Sequence, residues 1–138
     1  MNKNNNSKNA VSVMYGIGEA LNIIVILVLC VLAVILATNI LNGGVWYNSA
    51  NPQSVFFSNQ AQYLSFCQYA FIGSLFALTI QVVLCVLAHK IYKSTDDDAF
   101  KFHIAMIVLG VLGFCNIFYV LGAIFFIVTY KQNKNKIL

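Results

Sequence analysis

Residues 20–41 read ALNIIVILVLCVLAVILATNIL, and this stretch decides the fold class. It has no charged residue, and 19 of its 22 residues are apolar. A helix of that length is about 33 Å long, which matches the roughly 30 Å hydrocarbon core of a bilayer. Each Leu, Ile or Val favours membrane insertion by about 0.3–0.6 kcal/mol. The stretch therefore predicts a membrane-spanning helix.

The charge-free sequence extends well beyond this helix. Asp, Glu, Lys and Arg are absent from residues 20–89 and again from residues 102–130. The whole chain is 60% hydrophobic and 9% charged over 138 residues. This composition predicts one membrane domain with short tails, because a soluble surface of this size needs more ionised side chains. Further spans are predicted over residues 68–89 and 104–129.

The predicted fold class is all-α, an integral membrane helical bundle with three transmembrane helices. Residues 19–130 form the membrane domain. A polar, disordered cytoplasmic tail is expected over residues 1–18, and a lysine-rich tail over residues 131–138. We expect the uncharged loop over residues 42–66 to lie outside the cell.

Turn and aromatic residues organise this first loop. Asn42, Gly43 and Gly44 are typical of a helix stop, and Asn51 with Pro52 is typical of a new helix start. Aromatic side chains are enriched where lipid meets water, which predicts a set of interface anchors. These predicted anchors are Trp46, Tyr47, Phe56 and Phe57.

The lysines give two conflicting predictions of topology. Lysine-rich flanks face the cytoplasm, so the lysines before residue 20 and those between residues 90 and 101 both lie inside. Three spans then place the lysines of the tail outside. The alternative is four helices, with residues 104–130 forming a tight hairpin broken around residues 113–116. Each half would be about 13 residues or 20 Å, which is short for a bilayer. Three spans are preferred because five lysines outnumber three.

Small and polar residues recur at helical spacing on all three predicted spans. Such residues allow helices to approach closely, and buried amides hydrogen-bond between helices. We therefore expect Gln81 and Asn116 to hydrogen-bond across the helix packing, and a polar path lined by these two is the alternative. The full set of predicted packing residues is Ala33, Ala37, Ser74, Gln81, Gly110, Gly113 and Asn116.

No pattern for catalysis, cofactor binding or metal binding is found. The four cysteines lie in or beside apolar segments, without zinc-type spacing. His89 and His103 are expected at one membrane face near Thr95 and Asp98, a predicted helix-capping pair, but they lack a metal-ligand spacing. We therefore predict no enzyme, no cofactor and no metal. The net charge of +4 fits a topology signal better than nucleic-acid binding.

The function expected from these features is that of a non-enzymatic, multi-pass plasma-membrane protein with a cytoplasmic amino terminus. It is predicted to be an accessory or scaffolding subunit that packs against other membrane helices in the lipid bilayer. These helices belong either to further copies of this chain or to a larger membrane complex. The alternatives are a holin-like pore former and a small permeation or immunity membrane protein. Lysine without arginine, together with abundant asparagine, indicates a low-GC bacterial source.

Overall fold

The computed structural model describes residues 3–44, 47, 57–93, 96–113 and 116–137. Over these residues the chain forms four helices and no strand. The helices are α1 (Lys3–Leu41), α2 (Gln60–Lys93), α3 (Asp96–Leu112) and α4 (Ile117–Ile137). The all-α prediction is therefore confirmed, whereas the described residues form four helices in place of the three that we preferred.

Among the helices of the described residues, two are long and apolar enough to cross a membrane, namely Lys8–Leu41 of α1 and Gln60–Ile91 of α2. In their most apolar 18-residue windows, only 6% and 22% of the residues are buried. Large apolar side chains on both helices lie open, including Val34 at 65% and Phe76 at 68% exposure. A core helix of a soluble protein would bury such side chains, so these helices have surfaces suited to lipid.

The amino-terminal segment differs from the disordered tail that we predicted for residues 1–18. Helix α1 already begins at Lys3. Val11 and Tyr15 are buried, and Gly18 is buried one turn later. These three positions repeat at the helical spacing of three and four residues, so they form one face. Packing of this face against other helices stabilises a segment whose polar composition alone predicts disorder.

The third apolar segment also differs from the continuous span predicted over residues 104–129. Residues 113 and 116 lie outside both helices that flank them. The carbonyl of Asn116 accepts hydrogen bonds from the amides of Tyr119 (3.0 Å) and Val120 (3.2 Å), so Asn116 caps the start of α4. Glycine and asparagine are poor inside helices and frequent at their ends, which is why the segment divides here.

Helices α3 and α4 run antiparallel as a helical hairpin. The His103 ring stacks on Phe126 near its open end, whereas Gly110 lies against Val120 near its turn. The helices have 17 and 21 residues. They are about 25 and 31 Å long. They exceed the roughly 20 Å expected for each half of the apolar segment because α3 begins before residue 104 and α4 ends after residue 130. The number of helices in the described residues is therefore four, as in the four-helix alternative.

The chain divides into two compact units. Unit 1 comprises Met1–Val25 and Ile80–Leu138, and unit 2 comprises Ile26–Thr79. The core of unit 1 consists of side chains from all four helices. It contains Val11, Tyr15, Ile80, Leu84, Ala88, Met106, Tyr119 and Ala123.

Unit 2 pairs the carboxyl-terminal part of α1 with the amino-terminal part of α2. Helix α1 stops where Gly43 and Gly44 adopt positive φ angles of 68° and 77°, a conformation that glycine adopts without strain. The amide of Gly44 donates to the carbonyl of Asn39 (2.9 Å), which completes the helix end. The Asn39 side chain then donates to the Tyr63 hydroxyl at 2.8 Å and to Cys67 Sγ at 3.3 Å. These bonds join the two helices.

Candidate functional site

The candidate site is a set of buried polar side chains within unit 1, two of which contact the end of α3 or begin α4. Among the described side chains of this unit, four polar ones are at most 5% exposed, namely those of Asn22, Gln81, His103 and Asn116. Buried polar groups are costly unless they are hydrogen-bonded, and more so where lipid replaces water. Unit 1 is therefore the part of the chain in which these buried polar side chains need hydrogen-bond partners.

Gln81 holds the end of α3. Its Nε2 donates to the carbonyl of Gly113 at 2.6 Å. On the other side, Nδ2 of Asn22 donates to the backbone carbonyl of Gln81 at 3.0 Å and to Cys85 Sγ at 3.0 Å. Asn22 thus bridges α1 to α2, and Gln81 continues the connection from α2 to the turn.

Asn116 holds the beginning of α4. Its Nδ2 donates to the carbonyl of Gly18 at 2.6 Å. The approach is possible because Gly18 has no side chain: a Cβ there would lie 2.9 Å from Cδ1 of Tyr119 and 3.1 Å from Oδ1 of Asn116. Gln81 and Asn116, which we predicted to hydrogen-bond across the packing, therefore each bind a backbone carbonyl near the same turn.

Two carboxamide oxygens in this set accept no hydrogen bond from the described residues. They are Oδ1 of Asn22 and Oδ1 of Asn116, and both are fully buried. Each amide group is held in one orientation, since its Nδ2 faces a backbone carbonyl that can only accept. An unsatisfied buried acceptor costs about 1–3 kcal/mol. Each oxygen is therefore a buried acceptor without a donor among the described residues.

A buried aromatic group with one imidazole lies in the same unit. The Tyr15 hydroxyl and Nδ1 of His103 share a hydrogen bond. The His103 ring stacks on Phe126 with a centroid separation of 3.9 Å, and Tyr15 also contacts Tyr119 at 5.7 Å between centroids. Aromatic packing of this kind contributes beyond the area that it buries. The arrangement fixes the imidazole between two helices.

His103 and His89 differ in burial. Both were expected at one membrane face, and the structure adds that His103 is 1% exposed whereas His89 is exposed. The spacing of the sequence indicates the burial of His103, because His103, Met106, Gly110 and Gly113 follow one another by three and four residues. That spacing places His103 on the same buried face as the glycines.

The remaining predicted packing residues lie as follows. Ser74 is buried, and its hydroxyl donates to the carbonyl of Phe71 in its own helix (2.7 Å). Ala33 is buried and Ala37 is half-buried, both in unit 2. A Cβ at Gly110 would lie 2.8 Å from Cγ2 of Val120, so the absence of a side chain at Gly110 allows α3 and α4 to approach closely there.

The aromatic residues predicted as interface anchors are described only in part. Tyr47 contacts Tyr63 with ring centroids 5.7 Å apart, and Phe57 packs between Tyr63 and Phe66. Trp46 and Phe56 lie outside the described residues, as do Asn51, Pro52 and Thr95. The aromatic contacts that are described stabilise the start of α2.

Within the described residues there is no group of three or more His, Cys, Asp or Glu side chains that could hold a metal ion. No protein family, curated protein or solved structure matches this chain. Within the part of the chain that the structure describes, the protein is all-helical and two of its helices are long and apolar enough to cross a membrane.

Proposed function

We propose that this chain is a non-enzymatic, multi-pass plasma-membrane protein that binds another membrane helix as an accessory or scaffolding subunit. The observation that carries the proposal is an open apolar groove on unit 2, with a volume of about 480 Å³. The groove lies between the two long helices. It is lined by Ala37, Ile40, Leu41, Gln68, Phe71 and Ile72.

One polar side chain on the groove favours a protein partner over lipid alone. Gln68 is exposed, whereas the other lining residues are apolar. A carboxamide that faces lipid lacks hydrogen bonds, while a neighbouring helix with a polar group can supply them. Gly73 lies one residue beyond Ile72, and a Cβ there would meet no atom within 4 Å. Its open backbone permits a second helix to approach closely.

A photocrosslinking amino acid at position 72 is expected to capture the partner helix in native membranes. In the same background, Gln68→Leu should lower the yield of the crosslinked species about tenfold, because an interhelical hydrogen bond in a membrane contributes about 1–2 kcal/mol. The measurement is the crosslinked fraction at equal expression, separated by mass so that a second copy of this chain is distinguished from another protein.

The matched control places the crosslinker at Val28, which is 60% exposed on α1. Val28 precedes Ala37 by nine residues, which is about two and a half turns, so the two side chains lie on opposite sides of α1. Equal capture from positions 28 and 72 would contradict a specific docking groove. Collapse of the membrane potential upon expression would instead favour the pore former.

We further infer that both chain termini face the cytoplasm. The antiparallel hairpin supports this orientation, because α4 returns to the side on which α3 begins, whether the hairpin crosses the bilayer or enters it only partly. With the amino terminus inside, all eight lysines then lie on the cytoplasmic side. This arrangement removes the conflict with the positive-inside rule that three spans create.

Cysteine labelling tests this orientation. In a cysteine-free background, Ser58→Cys is expected to react with a membrane-impermeant maleimide in intact cells, and Asn135→Cys only after permeabilisation. Both residues are exposed, so access to the reagent depends on the side of the membrane. Labelling of both positions in intact cells would restore the three-span arrangement and reject the cytoplasmic carboxyl terminus.

A further inference from the structure

Lysines and aromatic rings of three helices meet at one end of unit 1. Nζ of Lys90, near the end of α2, lies 6.0 Å from the centroid of the Phe102 ring in α3. Phe100 in α3 contacts Tyr130 in α4 with ring centroids 5.4 Å apart, and Nζ of Lys134 lies 5.8 Å from the centroid of the same Tyr130 ring. We call this surface the basic end, and with the two lysines that directly follow its rings it consists of Lys90, Phe100, Lys101, Phe102, Tyr130, Lys131 and Lys134.

The basic end carries positive charge that is open to its surroundings. All four of its lysines are exposed. The sequence from residue 90 to the carboxyl terminus has six lysines and three aspartates. An aromatic ring attracts an ammonium group that lies within about 6 Å of its centroid, so Lys90 and Lys134 are held on the surface of the helices. The basic end therefore attracts an anion.

Each of the three helices also places an apolar stripe beside one of these lysines. Residues spaced by three and four positions lie on one face of a helix. Three such faces are exposed along their length, and they consist of Val83, Val86 and Lys90 on α2, Lys101, Ile104 and Val108 on α3, and Phe125, Val128 and Lys131 on α4. A soluble anion would contact only the lysines, whereas an anionic amphiphile also covers the apolar side chains that follow them. The surface thus favours a lipid over a soluble anion.

We propose that the basic end binds the headgroups of anionic phospholipids, whose acyl chains lie along the three apolar stripes. The lysine ammonium groups pair with the lipid phosphates, as in other lysine clusters next to membrane helices. Phe100, Phe102 and Tyr130 lie at the level where aromatic side chains are enriched, between hydrocarbon and water. The inference rests on the membrane location in the proposed function. It does not depend on the groove of unit 2 or on a partner helix, since all of these residues belong to unit 1.

Competition between two lipids tests the proposal. The full-length chain, purified in an uncharged detergent and held on affinity beads, is incubated with equal amounts of dioleoylphosphatidylglycerol and dioleoylphosphatidylcholine. The retained lipids are then quantified by mass spectrometry. We expect an about tenfold excess of phosphatidylglycerol at about 0.1 M salt and a much smaller one at about 1 M salt, where the screening length falls from about 10 Å to about 3 Å.

Two double variants with the same positions provide the matched comparison. Lys90→Gln with Lys134→Gln removes two charges and should lower the excess of phosphatidylglycerol at least about fivefold. Lys90→Arg with Lys134→Arg keeps both charges and should retain the excess. The unfolding temperature of each variant in detergent without added lipid should equal that of the parent chain, because the exchanged side chains are exposed.

Three results would overturn the proposal: equal retention of the two lipids by the parent chain, equal loss of the excess in the glutamine and arginine variants, or displacement of phosphatidylglycerol by glycerol 3-phosphate. The last result would identify a soluble phosphate as the ligand. Reconstitution into vesicles separates this inference from the proposed function. Extraction of the chain by alkaline carbonate from vesicles of either lipid would reject the membrane location itself, whereas resistance to extraction without a lipid preference would overturn only the lipid site.

Discussion

Substitution of Gly18 by leucine is expected to have the largest destabilising effect on unit 1, because Gly18 is where α1 packs against Tyr119 and Asn116. Already the first atom of the new side chain would lie 2.9 Å from Cδ1 of Tyr119 and 3.1 Å from Oδ1 of Asn116. Tyr119 is fully buried and its ring packs against that of Tyr15, so its displacement would disrupt other contacts of the core. Overpacking costs about 1–3 kcal/mol, and loss of the Asn116 hydrogen bond adds about 1 kcal/mol.

The measurement is the free energy of unfolding in detergent micelles, followed by circular dichroism. Gly16→Leu is the matched control on the same helix, because a Cβ at Gly16 meets no atom within 4 Å. Leucine is the better helix former by about 0.5–1 kcal/mol, so this variant should be as stable as the parent chain or slightly more stable. Similar destabilisation by the two variants would show that Gly18 does not pack against α4 as described.

His103→Ala is expected to have the second-largest effect, a loss of about 3 kcal/mol in the free energy of unfolding. The change removes the ring that stacks on Phe126 at 3.9 Å and the hydrogen bond with the Tyr15 hydroxyl. It also leaves a cavity between α1, α3 and α4, since His103 is only 1% exposed. Loss of this contact should release α3 from its neighbours in unit 1.

His89→Ala provides the control, because His89 is exposed near the end of α2. Its removal should change the free energy of unfolding by less than about 0.5 kcal/mol, as for most surface substitutions. His103→Phe tests the cause of the effect, since phenylalanine keeps an aromatic ring against Phe126 but cannot hydrogen-bond to Tyr15. Equal stability of His103→Ala and His89→Ala would contradict a structural role for the buried imidazole.

Local sequence signals predicted several features of the fold. Long apolar runs without charge predicted helices suited to a membrane, and α1 ends at Leu41, immediately before the predicted stop at Asn42 and Gly43. The break near residue 113 was predicted only as an alternative. Length favoured a single span there, because an apolar segment of 27 residues is close to what one tilted helix needs. Helices α3 and α4 instead extend into the polar flanking residues, so they are longer than the apolar segment alone predicts.

The candidate site was less accessible to sequence reasoning. Gln81 and Asn116 were singled out because amides are rare at membrane depth. Their partners are backbone carbonyls separated from them by 32 and 98 residues in the sequence. Every residue has a carbonyl, so composition and spacing give no means of choosing one. The Tyr15–His103 pair, 88 residues apart, was missed for the same reason.

The sequence by itself determined that this chain is helical and that it contains helices with the length and apolarity to cross a membrane. Hydropathy and helix-stop residues act locally, so they can be read one segment at a time. Only the tertiary structure decided that residues 3–18 are helical, that α3 and α4 form a hairpin, and which carbonyls the buried amides bind. These features depend on close approach between distant segments, where the absence of a side chain at Gly18 and Gly110 sets which surfaces can meet.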